Sequence, residues 1–363
     1  MPVRARRGEG GVASGDDGRR DQHATVAVAD CTIGTSFAVQ RPKMTALLTQ
    51  PPSPASLGAP AHRHPSTWLP FDYQRVPGPI RFWLSRRLLG RGMASVSPEV
   101  AFARDQPLVA GEAVSWPLSA RAALGLSHDL DTARALDPTE RLLDLEERLG
   151  VRSTLFLPGE LAERHAARVR GWQARGFELG LHDVRHDNRL PDLDAAALAN
   201  RLARIAAIAA AFEMRGFRAP SFWIRAPIIE RLPAPLAYDS SLPSLRAGAH
   251  AGRVTGAGTC RPFRVGRLWE LPVSLPVDDD LLRAGLGGDA GRAVLAGWLA
   301  AVQARGGVAV YVDHQEPHLS GNARGRAALE ALLRGHASAG ELWIAPLGAI
   351  ARHLGFPAPA NAE

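Results

Sequence analysis

Asp129 and Asp131 stand two positions apart in the run LGLSHDLD, and some fifty residues later the run ELGLHDVRHDNRL carries His182 and His186. On an extended strand side chains alternate faces, so the two aspartates project to one side and Leu130 to the other. A strand end of this kind together with HxxxH can offer a divalent cation one carboxylate and two imidazoles. It leaves one carboxylate free beside them. Those are the parts of a metal-assisted hydrolase. Alone, a DxD is common on solvated loops, and HxxxH is also the spacing of two neighbours on a helix surface. Context separates the readings: Asp129 follows the apolar run AALGLS and His182 closes FELGL. Two strand ends aimed at one place suit an α/β barrel, whose sites lie at the carboxyl ends of its strands.

The elements that must position these groups follow from Ala122 onward. Strands are predicted at AALGLS, STLFLP, FELGLH, GFRAP, LWELPVSL, GVAVYVDH and LWIAP. The first helix has a start signal in Asp137 as cap, Pro138 in the first turn and Glu140 three residues after the cap. Further helices run through RHAARVRGWQAR and from about Asp192 to Arg215. Strand, helix, strand in this rhythm implies a parallel sheet with right-handed crossovers. The Gly- and Pro-rich stretch 233–266 reads as a long loop, suited to a substrate-facing lid.

The expected organisation is a tail at 1–60, a lead-in segment at 61–118, the barrel at 119–355 and a short tail at 356–363. Residues 1–60 lack helical or strand period and read as disordered or as a misassigned start, with Met44 an alternative initiator. In the lead-in, RFWLSRRLLGR is expected to form a short amphipathic helix, and the tryptophans and phenylalanines of the segment from about Trp68 to Pro117 are expected to pack on the barrel.

Bulk properties exclude more than they assign. The formal charge is +7 over 363 residues and the pI is near 10.4, which invites a nucleic-acid reading. Lys43 is the only lysine, however, and the arginines are spread along the chain without interleaved aromatics. No nucleic-acid partner is expected. Cys31 and Cys260 are far apart and form no metal or disulfide pattern. No apolar leader and no spanning segment is seen, so a cytoplasmic location is the expectation.

Taken in order and spacing, these motifs resemble the polysaccharide deacetylase family, carbohydrate esterase family 4, over roughly residues 120–350. The resemblance implies an irregular (β/α) barrel of about seven strands. By it, SHDLD makes Asp129 the catalytic base and Asp131 a metal ligand. LHDVRHD makes His182 and His186 the other two ligands. FRAPS makes Arg218 the residue that orients the base, with the backbone N–H of Ser221 facing the oxyanion. VYVDH makes His314 the general acid. Ser221 stands where the family usually has an aromatic residue. Gln315 follows the last motif where proline is frequent, which leaves His318 as a rival acid. The family's fourth motif, an acid that tunes the histidine, falls on Asp239 or on Asp278 to Asp280.

The surrounding residues have two readings each. His128 faces away from Asp129 and reads as packing or support. Asp183, Asp187 and Asp313 adjoin the histidines and are placed to accept from their free ring nitrogens. Trp223 is either a sugar-stacking platform or core.

The implied activity is hydrolytic removal of acetyl groups from N-acetylated sugars of a glycan. It would depend on one divalent metal, with zinc the default and cobalt, nickel, iron or manganese compatible with the same ligands. Two alternatives stand: an amidase acting on a small non-sugar amide, and a non-catalytic carbohydrate-binding protein on the same fold.

Overall fold

A computed structural model describes residues 63–69, 73–88, 92–105, 116–247, 254–337 and 341–355. The expected tails at 1–60 and 356–363 lie outside the described residues.

The strands are β1 (Ala122–Asp129), β2 (Thr154–Leu157), β3 (Glu178–Leu181), β4 (Gly216–Phe217), β5 (Tyr238–Asp239), β6 (Arg246–Ala247), β7 (Val254–Thr255), β8 (Phe263–Val265), β9 (Leu268–Glu270), β10 (Val308–His314) and β11 (Leu342–Pro346). Nine of them form one sheet in the order β10-β1-β2-β3-β4-β5-β9-β8, with β11 also on β1. All pair in parallel except β8, which runs antiparallel to β9. β11 pairs with Ala122–Leu126 of β1 and β2 with Ser127–Asp129, so the sheet splits along this strand. The Ser274 hydroxyl accepts from Val310 N–H at 2.8 Å and donates to Val308 O at 2.7 Å. This side chain ties the segment after β9 to β10, and the sheet curls into a half-barrel. β6 and β7 form a separate antiparallel pair.

Every residue of β1 is buried, as expected of a parallel strand covered on both faces. The helix Leu136–Arg148 begins two residues before the predicted start, with Ala135 rather than Asp137 at the cap position. Thr132 caps the preceding turn, and Asp137 and Pro138 lie inside the first helical turn. Glu140 does not reach back to a cap; it accepts from Arg168, Trp172 and Arg175. The alanine-rich helix is shorter than its composition suggests, Ala195–Ala211, because Leu190–Asp192 forms a turn of its own. Asp194 caps it instead, accepting from Ala197 N–H at 2.8 Å.

Two expectations are corrected. The stretch 233–266 is not simply a loop: β5 and β8 lie within it and join the main sheet. Strands of two or three residues leave no readable period. In the lead-in, the helix Gly78–Leu88 forms, and Phe102 and Trp116 are buried, but Trp68 and Trp83 are 70% and 56% exposed. These two tryptophans do not pack on the barrel. Among the described residues no helix is long and apolar enough to cross a membrane.

Candidate active site

Parallel register places the chemistry. Asp129 ends β1 directly opposite His314, which ends β10. Leu181, one residue before His182, pairs with Phe217, one residue before Arg218. Four of the predicted residues therefore leave the sheet at the same edge.

Arg218 is fully buried. Its Nη1 donates to Asp129 Oδ1 at 2.7 Å, Nη2 to the Ser127 and Ser240 hydroxyls, and Nε to the Ser240 carbonyl. Its guanidinium lies 4.1 Å from the centre of the Phe156 ring. That ring is itself held by Gly180 of the next strand, where a Cβ would stand 2.4 Å from it. A buried cation is tolerated only when its donors are filled, and here the filling fixes the Asp129 carboxylate. One oxygen is held; Oδ2 faces His182 Nε2 at 4.0 Å.

Asp131, His182 and His186 each bring one ligand atom to within 4.8 Å of the others. Asp131 Oδ1 lies 3.2 Å from His186 Nε2 and 3.5 Å from His182 Nε2, buried yet without a well-formed hydrogen bond among the described residues. Burial alone would raise the Asp131 carboxyl, but the facing imidazoles hold it well below the usual range. Both rings are turned the same way, with Nδ1 engaged elsewhere and Nε2 aimed at Asp131. His182 Nδ1 pairs with the Arg218 carbonyl at 2.8 Å and His186 Nδ1 with the Tyr73 hydroxyl at 2.5 Å. A carboxylate and two imidazoles with oriented Nε2 atoms fit a divalent cation. Of the two readings open for the adjoining aspartates, Asp183 and Asp187 take the one that is not an acceptor for these rings, and Asp313 meets His128 rather than His314. Asp183 and Asp187 face Arg201 at 3.4 and 2.6 Å, which clasps the loop carrying His186. Asp183 and Asn188 adopt left-handed backbone (φ 59° and 58°), which turns that loop back over the strand end.

On the opposite side, His314 Nδ1 lies 2.7 Å from Asp278 Oδ1, and its backbone N–H donates to Asp278 Oδ2 at 3.0 Å. Burial would lower the imidazole pKa, but Asp278 outweighs it and holds His314 well above 6.5. His318 is shifted the other way, first by burial and then by Arg81, and its ring lies against Gly78 of the lead-in helix. Of the acids proposed for the fourth motif, Asp278 reaches the histidine. Asp239 does not face the cleft: it is fully buried in β5, accepts from the Ser241 hydroxyl at 2.6 Å, and lies beside Glu270. Burial pushes both carboxyls up, and the Asp239 charge pushes Glu270 further.

Ser221 is exposed in left-handed backbone (φ 52°). Trp223 is 6% exposed, with the His64 ring edge-on at 4.9 Å, so its face is not open as a platform. Sequence reasoning missed Tyr73, Asn188 and Glu316. Glu316 accepts from Thr132 N–H at 3.0 Å and is pushed up to about 8 by burial and by the charge of Asp131. Nothing in the spacing of the lead-in marks Tyr73. The cleft beside the Asp131, His182 and His186 group has a volume of about 530 Å³ and is walled by Tyr73, Asp131 and His186 among others.

Neither family profiles nor curated sequences give a match to the chain. Solved structures do. A provisionally assigned polysaccharide deacetylase from Mycobacterium smegmatis superposes with a TM-score of 0.55 at 23% identity, covering 69% of this chain and 94% of the other. One from Pseudomonas aeruginosa PAO1 gives 0.51 at 18% identity, covering 66% and 92%. The fold is of the polysaccharide deacetylase type, and it carries an Asp/His/His group able to hold a metal.

Proposed function

We propose that the protein is a metal-dependent hydrolase that removes acetyl groups from N-acetylated sugars. One observation carries the reading: an arginine-held carboxylate and an aspartate-held histidine end adjacent strands beside an Asp/His/His group. Asp131, His182 and His186 would hold the cation, zinc by default. When bound, it supplies Lewis acidity toward the acyl oxygen and toward water.

The chain's own groups do the rest. Asp129, held at Oδ1 by Arg218, takes the proton of the attacking water at Oδ2. The Ser221 backbone N–H is the donor for the oxygen that gains charge, a contribution of about 3–4 kcal/mol when such a donor is lost. An amine leaves only when protonated, and His314 delivers that proton from Nε2 while Asp278 holds Nδ1. The raised pKa of His314 keeps it a proton donor at neutral pH. His318, held neutral against Gly78, is the weaker choice.

Asp129→Asn tests this directly. Acetate release from N-acetylated oligosaccharides should fall by about 10²–10⁴-fold with metal content near wild type and the protein still folded, Asn keeping an oxygen for Arg218 Nη1. Equal turnover in the variant would remove Asp129 as base.

A further inference from the structure

The cleft beside the metal trio is unusually rich in arginine. Arg75, Arg164, Arg185 and Arg189 are four of its fifteen lining residues, against 43 lysines and arginines in the whole 363-residue chain. The acids that line it are already engaged. Glu160 pairs with Arg185, Asp187 with Arg201, and Asp131 faces the two histidines. Three guanidinium groups are left over. Arg75 and Arg189 make no side-chain hydrogen bond or ion pair among the described residues, and Arg164 uses only Nε, on the Glu160 carbonyl at 3.0 Å. They come from three separate parts of the chain: the lead-in, the end of the helix Gly159–Arg164, and the loop after β3. Their shared feature is the wall of one cleft, and a bound cation would add to its positive charge.

Resting on the hydrolase reading above, we propose that Arg75, Arg164 and Arg189 form an anion subsite, so that the substrate is an N-acylated sugar bearing a phosphate or carboxylate near the scissile amide. Guanidinium groups present paired N–H donors that match both anions, and a cleft walled by one sign of charge concentrates ligands of the other. A volume of about 530 Å³ lies within the range that encloses a small ligand. A segment of one or two sugar units fits this description better than the middle of a neutral polymer.

The test compares three probes on the metal-loaded, full-length protein: N-acetylglucosamine, its 1-phosphate, and N-acetylmuramic acid as the carboxylate. Binding is measured by calorimetry and turnover by acetate release. An anionic probe should exceed the neutral sugar by roughly tenfold or more in affinity or kcat/KM, with the gain shrinking as salt rises. The triple variant Arg75→Gln, Arg164→Gln, Arg189→Gln should lose that gain and keep its metal. Preference for the phosphate or for the muramic acid identifies which anion the subsite takes. Equal binding of all three, or a preference unchanged in the triple variant, overturns the subsite. Arginine-dependent binding without acetate release from any probe upholds the subsite and overturns the deacetylase reading.

Discussion

Two ionic constellations hang from neighbouring residues of the same strand pair, and they have opposite fates. Asp129 and His314 face each other across β1 and β10; one step earlier, His128 faces Asp313 in the same register. On the outer side His128 is sealed. Its Nε2 meets Glu146 at 2.7 Å and its Nδ1 meets Asp313 at 2.6 Å. Ser153 donates to Glu146, while Gln315 and Tyr311 donate to Asp313. Burial would lower the His128 pKa, but the two carboxylates raise it to about 10. On the inner side the groups are oriented toward a common point rather than sealed: Asp129 Oδ2 lies 4.0 Å from His182 Nε2, and Asp131 Oδ1 is buried between the two histidine Nε2 atoms without a well-formed hydrogen bond among the described residues. A closed network holds two strands in register, whereas an open one can act on something that enters. Strand alternation puts one on each face.

The contrast breaks most sharply at His128. His128→Ala should cost about 3–5 kcal/mol of unfolding free energy, because it leaves two buried carboxylates without their cation. Asp129→Asn should cost most of the activity and a smaller share of stability, because Asn keeps an oxygen for Arg218 Nη1 while removing the counter-charge of that buried guanidinium. Denaturation midpoints and acetate assays on both variants check the crossing. The pH dependence has a definite sign. With a folded pKa near 10 against 6.5 unfolded, the His128 contribution is complete below about pH 6.5 and is lost as pH rises through about 10. Wild-type stability should therefore fall between pH 7 and 10.5 by more than that of His128→Gln.

A smaller effect sharpens the inner side. On the proposed mechanism the acid must be protonated to act, so the alkaline limb of the rate should follow the pKa of His314. Asp278→Asn removes the group that raises it, and the limb should move to lower pH by about one unit or more. A pH–rate profile of the variant reads this, and an unmoved limb would assign the acid elsewhere.

The smallest expected effect lies at Tyr73. Tyr73→Phe deletes the hydroxyl paired with His186 Nδ1 and should weaken metal binding by about tenfold. Chelator competition measures that without any substrate.

How much of this was legible beforehand follows from how each group is held. Asp129, Asp131, His182 and His186 sit at or just beyond strand ends, and strand ends can be read from apolar runs. Arg218 follows a strand of two residues, and its proline two positions later made it visible. Asp239 misled because YDSSLP has the composition of a loop tip, whereas its short strand buries the side chain. The exposed Trp68 and Trp83 contradict the packing expected of aromatic residues, which composition cannot foresee.

The sequence by itself determined the alternation of strand and helix and the residue types and order of the candidate Asp/His/His group, because these depend on local period and on chemistry within a few residues. Only the tertiary structure decided which acid serves His314, since Asp278 lies 36 positions before it. The same holds for Tyr73, which meets His186 from 113 positions away. It also decided that His128 is sealed while Asp129 is open, since strand alternation separates the two side chains but only packing says which face is covered.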